Sequence, residues 1–147
     1  MKLAWPVRIE KMSEEGHEYF LVQGLSPLTG VITEGDSLED ALNNAREALS
    51  GILGSMLDHG DEIPEAPVVK RAEKDIYWIE PDPKVMIPIL VKKTRQNAGM
   101  TLEELAAKAG VTYQQIQRWE RSGTNPTIAS LDKVFRAMGK KLELEVA

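Results

Sequence analysis

The chain has 147 residues and a formal net charge of -5, and this length allows one domain or two small ones. It contains no cysteine, which excludes disulfides and thiolate zinc sites. Residues 1–80 contain 7 basic and 16 acidic residues, net -9, whereas residues 81–147 contain 11 basic and 7 acidic residues, net +4. This asymmetry predicts two modules with different partners, and the lack of any apolar run near the ~18 residues of a membrane span predicts a soluble, cytoplasmic protein.

Three short strands are predicted at the start of the acidic part. Residues Leu3–Glu10 alternate between apolar and polar side chains, which is the period of a half-buried strand, and Pro6 places this strand at an edge or an irregularity. A turn at Ser13–Gly16 precedes the second strand, Tyr19–Gln23, and a longer loop precedes the third, Val31–Thr33.

A helix is predicted after the third strand. Ser37 with Asp40 three residues later is typical of a helix N-terminus. The expected buried face consists of Leu38, Ala41, Leu42, Ala45, Leu49, Ile52, Leu53 and Met56. A polar loop, Asp58–Pro67, then leads to a last strand, Ile76–Glu80. The acidic part is therefore expected to form a three- or four-stranded sheet covered by one helix.

The run GVITEGDSLEDALNNAREAL, Gly30 to Leu49, resembles the HicB antitoxin family, and the first strand, LAWPVRIE, fits the same pattern. The resemblance covers roughly half of the chain and implies a partial RNase H-like fold without nuclease activity. HicB proteins bind HicA, a small toxin that cleaves messenger RNA and resembles a double-stranded RNA-binding domain, and cover its active-site histidine. Candidate toxin contacts are Leu25 and Leu28, in a loop that departs from the family pattern, and Asp36.

Catalysis is not predicted. Two-metal nuclease chemistry needs several converging carboxylates, and the nearest candidates, Asp36, Glu39 and Asp40, fit a helix N-terminus, where the helix dipole favours negative charge. The acidic residues after the helix are interpreted as a solvated loop rather than a metal cluster: Asp58, His59, Asp61 and Glu62. No catalytic residue, metal ligand or cofactor is assigned.

The basic part begins at Pro81–Pro83, which is interpreted as a hinge because proline disfavours helix in the residue before it. A helix is predicted from about Val85 to Ala98, and Pro88 is tolerable there only in the first turn. The predicted division is a toxin-binding domain at residues 1–80, a linker at 81–84 and a DNA-binding domain at 85–147.

Two capped helices follow in close succession. Thr101 with Glu104, and Thr112 with Gln115, form capping boxes, and Gly110 supplies a left-handed turn between the two helices. The first of these helices is expected to bury Leu102, Leu105, Ala106 and Ala109. Two capped helices joined by so short a turn predict a helix-turn-helix motif.

The second helix of this motif has two distinct faces. Steps of 100° place four residues toward the core: Thr112, Gln115, Ile116 and Trp119. The opposite arc carries Tyr113, Gln114, Gln117, Arg118 and Arg121. Glutamine can bond adenine, and arginine guanine, in the major groove, so this arc can read bases; an ordinary solvated helix face is the alternative.

Residues Gly110–Pro126 resemble the Xre, or Cro and lambda-repressor-like, DNA-binding family, and the resemblance extends over roughly Val85–Gly139. It implies base contacts by Tyr113, Gln114, Gln117 and Arg118. It implies phosphate contacts by Thr112, Arg121, Thr124, Asn125 and Thr127. It also implies that Arg95 pairs with Glu120 as a structural brace. Two departures are Leu102, where a phosphate-binding glutamine is frequent, and Gly123, which lies one residue late.

A last helix is predicted at Ile128–Met138, and the sequence KKLELEVA follows it. The apolar residues Leu142, Leu144 and Val146 alternate with glutamates, which predicts a strand with no partner strand in its own helical domain. Pairing with a two-fold copy would satisfy this edge and form the dimer that palindromic operators require.

The sequence therefore predicts an α+β protein: a partial RNase H-like domain, then an all-α helix-turn-helix domain that ends in a short dimerising strand. The expected function is an antitoxin that neutralises a HicA-type toxin and represses its own operon by binding operator double-stranded DNA as a homodimer or tetramer. The alternative is a stand-alone Xre-family repressor whose first domain senses a small ligand. A degenerate nuclease is a third interpretation, and metal-dependent cleavage would be its signature.

Overall fold

A computed structural model describes residues 3–68 and 72–147. The chain forms two compact units, Met1–Met86 and Ile87–Ala147. The elements of the first unit are β1 (Trp5–Glu14), β2 (His17–Gly24), β3 (Ile32–Gly35), α1 (Leu38–His59) and β4 (Ile76–Ile79). Four more helices follow: α2 (Pro83–Asn97), α3 (Leu102–Ala109), α4 (Tyr113–Trp119) and α5 (Ile128–Ala137). None of the helices in these described ranges is long and apolar enough to cross a membrane.

The four strands form one antiparallel sheet in the order β3-β2-β1-β4. Strand β1 continues to Glu14, which pairs with His17, so the hairpin turn contains only Glu15 and Gly16. Both turn residues have positive φ, 49° and 79°, as the tight hairpin turns that match strand twist require. The predicted four-residue turn at Ser13–Gly16 is wrong, because its first two residues are paired within the strands.

Helix α1 packs against one face of this sheet. The Ser37 hydroxyl accepts a hydrogen bond from the Asp40 backbone N–H at 3.1 Å, which confirms the predicted cap. The buried side of the helix comprises Ala41, Ala45, Leu49, Leu53, Gly54 and Leu57. Four predicted members of that face are only half-buried: Leu38, Leu42, Ile52 and Met56. The buried face is therefore narrower than predicted on one side, and on the other it extends to Gly54 and Leu57, which were not predicted to be buried.

Close approach of the sheet to α1 depends on Gly35. A β-carbon at this position would collide with the backbone of Asp40 and Ala41 in the first turn of the helix. The strand residues Val7, Ile9 and Val22 face the helix and are at most 3% exposed. Burial of such side chains contributes about 1.5–3 kcal/mol each, so this interface carries much of the stability of the first unit.

Helix α2 begins two residues before its predicted start. The Asp82 carboxylate accepts a hydrogen bond from the Lys84 backbone N–H at 2.8 Å, and the Asp82 carbonyl accepts one from Met86 at 2.9 Å. Pro83 takes the first helical position, where its missing N–H has no cost. The Pro81–Pro83 segment is thus a helix start, and Pro88 lies inside the helix rather than in its first turn.

The second unit has an apolar core assembled from α2 to α5. Its buried members are Val91, Leu105, Ala106, Ala109, Ile116, Trp119, Leu131, Val134, Phe135, Ala137 and Met138. Helix α5 ends at Ala137 and is followed by a left-handed Gly139, and the Lys140 backbone N–H donates to the Phe135 carbonyl at 2.9 Å. This arrangement closes the last helix one residue before its predicted end.

The C-terminal tail, residues 140–147, has no regular secondary structure, so the predicted strand is not formed within the chain. A strand requires a hydrogen-bonding neighbour, and the tail has none in the ladders of the described sheet. Leu142 is half-buried against the helical core, whereas Leu144 and Val146 are 69% and 98% exposed. The alternating pattern therefore leaves two apolar side chains uncovered in a single copy.

Candidate nucleic-acid interface

Helices α3 and α4 are joined by a three-residue turn, and each begins with a complete capping box. The Thr101 hydroxyl accepts from the Glu104 N–H at 3.1 Å, and the Thr112 hydroxyl accepts from the Gln115 N–H at 3.1 Å. The side chains of Glu104 and Gln115 accept in return from the Thr101 and Thr112 N–H groups. Gly110 between them is left-handed, with φ 69° and ψ 34°. The predicted helix-turn-helix geometry is confirmed.

The inner face of α4 is anchored in the core. Ile116 is fully buried and Trp119 is 8% exposed, as expected, and Gln115 is half-buried. Thr112 is exposed, so its predicted orientation toward the core is wrong. The reason is its capping role, which turns the hydroxyl along the helix axis toward the free N–H groups of the first turn. Thr112 remains on the solvent side of the motif.

The outer face of α4 carries the residues predicted to read bases. Gln114 and Arg118 are exposed, Tyr113 is 36% exposed, and Gln117 is half-buried. Arg121, one residue beyond the helix cap, is also exposed. This side of the motif therefore carries two glutamines, a tyrosine and two arginines. Burial of Ile116 and Trp119 in the core fixes the orientation of α4, so that its other side faces solvent.

The candidate phosphate-binding residues lie in the loop between α4 and α5. Asn125 and Thr127 are exposed, and Thr124 is half-buried. Thr127 caps α5: its hydroxyl accepts from the Ser130 N–H at 3.1 Å and donates to the Ser130 hydroxyl at 2.9 Å. The structure thus gives Thr127 a definite role in starting the helix, next to the exposed Asn125.

Arg95 and Glu120 form a two-bond ion pair between the end of α2 and the end of α4. The Arg95 Nε–Glu120 Oε2 distance is 2.6 Å and the Arg95 Nη2–Glu120 Oε1 distance is 2.8 Å. The side chains are only 14% and 9% exposed. The hydrogen bond to Glu120 raises the pKa of Arg95 above its usual value, so the guanidinium stays charged.

Arg95 Nη1 also donates to the Met100 carbonyl at 2.9 Å, just before α3. One guanidinium therefore connects α2 with the segment before α3 and with the end of α4. Sequence reasoning missed Met100, because a backbone acceptor leaves no signal in the identity of its side chain.

Glu120→Ala is expected to lower the free energy of unfolding of the second unit by about 3–5 kcal/mol, because it leaves a buried guanidinium without its counter-charge. Chemical denaturation followed by circular dichroism would measure the change.

The matched control for that substitution is Asp132→Ala, which breaks the exposed Asp132–Arg136 pair on α5, where the side chains are 41% and 66% exposed. We expect this change to cost less than about 1 kcal/mol. Equal losses for the two variants would show that Arg95–Glu120 is not a buried brace.

The residues predicted to contact a toxin lie in the first unit and differ in accessibility. Leu28 is 8% exposed, which leaves little of its side chain for a partner, and Leu25 is half-buried. Asp36 is exposed, with its Oδ1 3.9 Å from His17 Nε2. Asp58 and His59 belong to the last turn of α1, so the loop begins later than its predicted start at Asp58. Within residues 3–68 and 72–147, no three histidine or acidic side chains are grouped so as to hold a metal ion.

A helix-turn-helix family model matches residues 91–144. Over 52 residues the chain is 35% identical to an uncharacterized HTH-type transcriptional regulator of Methanothermobacter thermautotrophicus, with 35% of this chain and 75% of that protein covered. Over 144 residues it is 26% identical to Antitoxin HicB 1 of Photorhabdus laumondii subsp. laumondii, with 98% of this chain and 87% of that protein covered.

Two solved structures of the Burkholderia pseudomallei antitoxin HicB are also similar. Its N-terminal domain has a TM-score of 0.43 and 19% identity, covering 54% of this chain and 99% of that one. The longer structure has a TM-score of 0.45 and 14% identity, covering 74% of this chain and 94% of that one. From its sequence relatives, the chain belongs to the helix-turn-helix family through its second unit and is a homologue of the HicB antitoxins over nearly its whole length.

Proposed function

We propose that this protein is an antitoxin whose first unit neutralises a HicA-type toxin and whose second unit represses its own operon by binding operator DNA. The observation that carries the proposal is the exposed Gln114–Arg118 face of α4, anchored in a capped helix-turn-helix, in a chain homologous to an antitoxin over 98% of its length. The division of charge supports it, since residues 1–80 have net charge -9 and residues 81–147 have +4.

In the DNA-bound state, α4 lies in the major groove with its outer face toward the bases. Arg118 bonds guanine O6 and N7, Gln114 and Gln117 are suited to adenine N6 and N7, and Tyr113 contacts an adjacent base edge. The flanking residues contact phosphates of the DNA backbone: Thr112, Arg121, Thr124, Asn125 and Thr127. Such phosphate contacts set the position of the motif but carry no sequence information. Binding should weaken steeply as salt concentration rises.

Arg118→Ala is expected to weaken binding to operator DNA by about 1–3 kcal/mol while changing binding to random duplex little, because a base contact contributes only at the correct sequence. Fluorescence anisotropy at fixed salt would measure both affinities.

Arg136→Ala is the control for Arg118→Ala, since it removes the same charge from the exposed side of α5, where Arg136 pairs with Asp132. We expect it to change both affinities slightly and equally. Equal losses on operator and random DNA for Arg118→Ala would instead make Arg118 a phosphate contact.

Neutralisation of the toxin is proposed to be steric. A toxin that grips RNA must present a basic surface, because the phosphate backbone dominates such affinity. The net charge of -9 on residues 1–80 would steer that surface into an encounter, although steering raises the association rate more than the lasting affinity. Burial of apolar side chains around the acidic residues would supply most of the binding affinity. The bound antitoxin would then exclude RNA from the toxin's active site.

Copurification distinguishes this proposal from a ligand-sensing repressor. The reading frame next to the antitoxin should encode a small basic protein, and expression of both from the native operon should yield a stable complex. A repressor that senses a small molecule would purify without such a partner and would change its operator affinity when the ligand is added.

The exposed apolar side chains of the C-terminal tail are proposed to join two copies. Leu144 and Val146 are uncovered in one copy, and antiparallel pairing of two tails would give each strand a neighbour. A two-fold dimer would then present two α4 helices to half-sites about one helical turn, ~34–36 Å, apart or at a multiple of that distance.

A further inference from the structure

The two faces of the four-stranded sheet differ in what covers them. Val7, Ile9 and Val22 point toward α1 and are buried, and side chains on a strand alternate between faces. In the described part of the first unit no helix packs on the other side, which we call the open sheet face. On β1, β2 and β3 it carries Arg8, Glu10, Met12, Tyr19, Leu21, Gln23, Ile32 and Glu34. At its β4 edge it also carries the half-buried Ile76 and Trp78, which pair with Arg8 and with the buried Pro6.

Strand register arranges these side chains in rows. Leu21 lies opposite Glu10 on β1 and opposite Glu34 on β3, so one half-buried leucine stands between two exposed carboxylates. Directly opposed side chains have Cβ atoms about 4.5–5.5 Å apart. The three residues therefore form one continuous band across β1, β2 and β3.

Apolar side chains lie on both sides of this band. In one neighbouring row Met12, 36% exposed, is paired with Tyr19. In the other, Ile32 is 66% exposed and is paired with Gln23. The solvated face of an antiparallel sheet is normally polar, so exposed apolar groups in the rows on both sides of this band indicate a surface that becomes covered.

The charges on this face indicate which kind of partner covers it. The Glu10 carboxylate is 3.6 Å from Arg8, but both side chains are about half exposed, at 51% and 46%, so this pair contributes little and can be exchanged for another. A purely apolar partner would bury the Glu34 and Glu10 carboxylates without counter-charges, which is costly. A second copy of the same face would oppose carboxylate to carboxylate in a unit that is already strongly negative.

We propose that the open sheet face is the surface that holds the toxin, and that its partner is a basic protein surface with an apolar centre. Lysine or arginine side chains of that partner pair with Glu10 and Glu34, while an apolar group packs over Leu21 between Met12 and Ile32. This assignment rests on the proposed neutralising function and gives it a location. It places the contact on the sheet rather than on the loop that holds the buried Leu28.

The test compares two double charge reversals in the full-length protein. Glu10→Lys with Glu34→Lys alters the open sheet face, and Glu47→Lys with Glu62→Lys alters exposed positions on α1 and in the following loop. Both change the net charge by the same amount, so long-range steering is affected similarly and the difference reports local contact. The probe is the small basic protein of the neighbouring reading frame, made inactive by replacing its active-site histidine and titrated calorimetrically.

The face variant is expected to raise the dissociation constant by about 30-fold or more, because like charges are brought together in the contact, and the control variant by less than about 3-fold. Ile32→Ala should weaken binding about 3- to 10-fold at both low and high salt, as loss of an apolar contact does. Circular dichroism and melting curves would verify that all variants are folded.

Equal weakening by the two double variants, or none by either, would overturn the assignment of the face while leaving the antitoxin function standing. Failure of the wild-type protein to bind the probe at all would overturn the proposed function, and the assignment with it.

Discussion

Removal of residues 143–147 is expected to convert the proposed dimer into monomers and to weaken operator binding about 100-fold or more, because each half-site would then be bound independently. The truncation takes away Leu144 and Val146, which are exposed in one copy, and keeps Leu142, which packs on the helical core. The helix content of the second unit should therefore remain the same. Analytical sedimentation and operator titration would measure the two effects.

The control for the truncation is Glu143→Ala with Glu145→Ala, which changes the alternate side chains of the same tail and leaves the apolar ones in place. This variant should stay dimeric and bind operator DNA with an affinity near that of the wild type. A truncated protein that remains dimeric would place the interface elsewhere, on α5 or on the sheet of the first unit.

Local signals in the sequence predicted most of the elements, because caps and periodicity act within a few residues. Ser37, Thr101 and Thr112 each begin the helix expected of them. The start of α2 at Pro83 was not predicted, because Asp-Pro fits both a hinge and a helix start. The difference is the hydrogen bond from the Lys84 N–H to the Asp82 carboxylate, which only the folded chain shows.

The tail shows a different limit. The alternation of Leu142, Leu144 and Val146 is that of a strand, but a strand exists only with a neighbour, and no sequence pattern states whether that neighbour is in the same chain. In the structure, Leu142 instead packs against the helical core of the same chain. The pattern indicates an unsatisfied edge rather than an element of a single copy.

The two candidate surfaces also differ in how far the sequence could predict them. Steps of 100° were enough to separate the buried Ile116 and Trp119 from the exposed Gln114 and Arg118. The open sheet face depends on which residues of β1 and β3 lie opposite Leu21. That register is set by the two-residue turn between β1 and β2 and by the pairing of β2 with β3 across the loop that joins them. Neither feature produces a periodic pattern in the sequence.

Fragments of the protein are expected to separate the two proposed activities completely. Residues 1–86 alone should suppress RNA cleavage by the cognate toxin at equimolar concentration, because the acidic unit contains the whole sheet and α1. Residues 83–147 alone retain all of α2 and the helix-turn-helix, and should bind operator DNA while leaving RNA cleavage unchanged.

An RNA-cleavage assay with the cognate toxin and either fragment is the most direct test of this division of labour. Protection of RNA by residues 1–86 and none by residues 83–147 is the predicted result. Protection by residues 83–147 alone would contradict it and would place toxin binding on the helical unit.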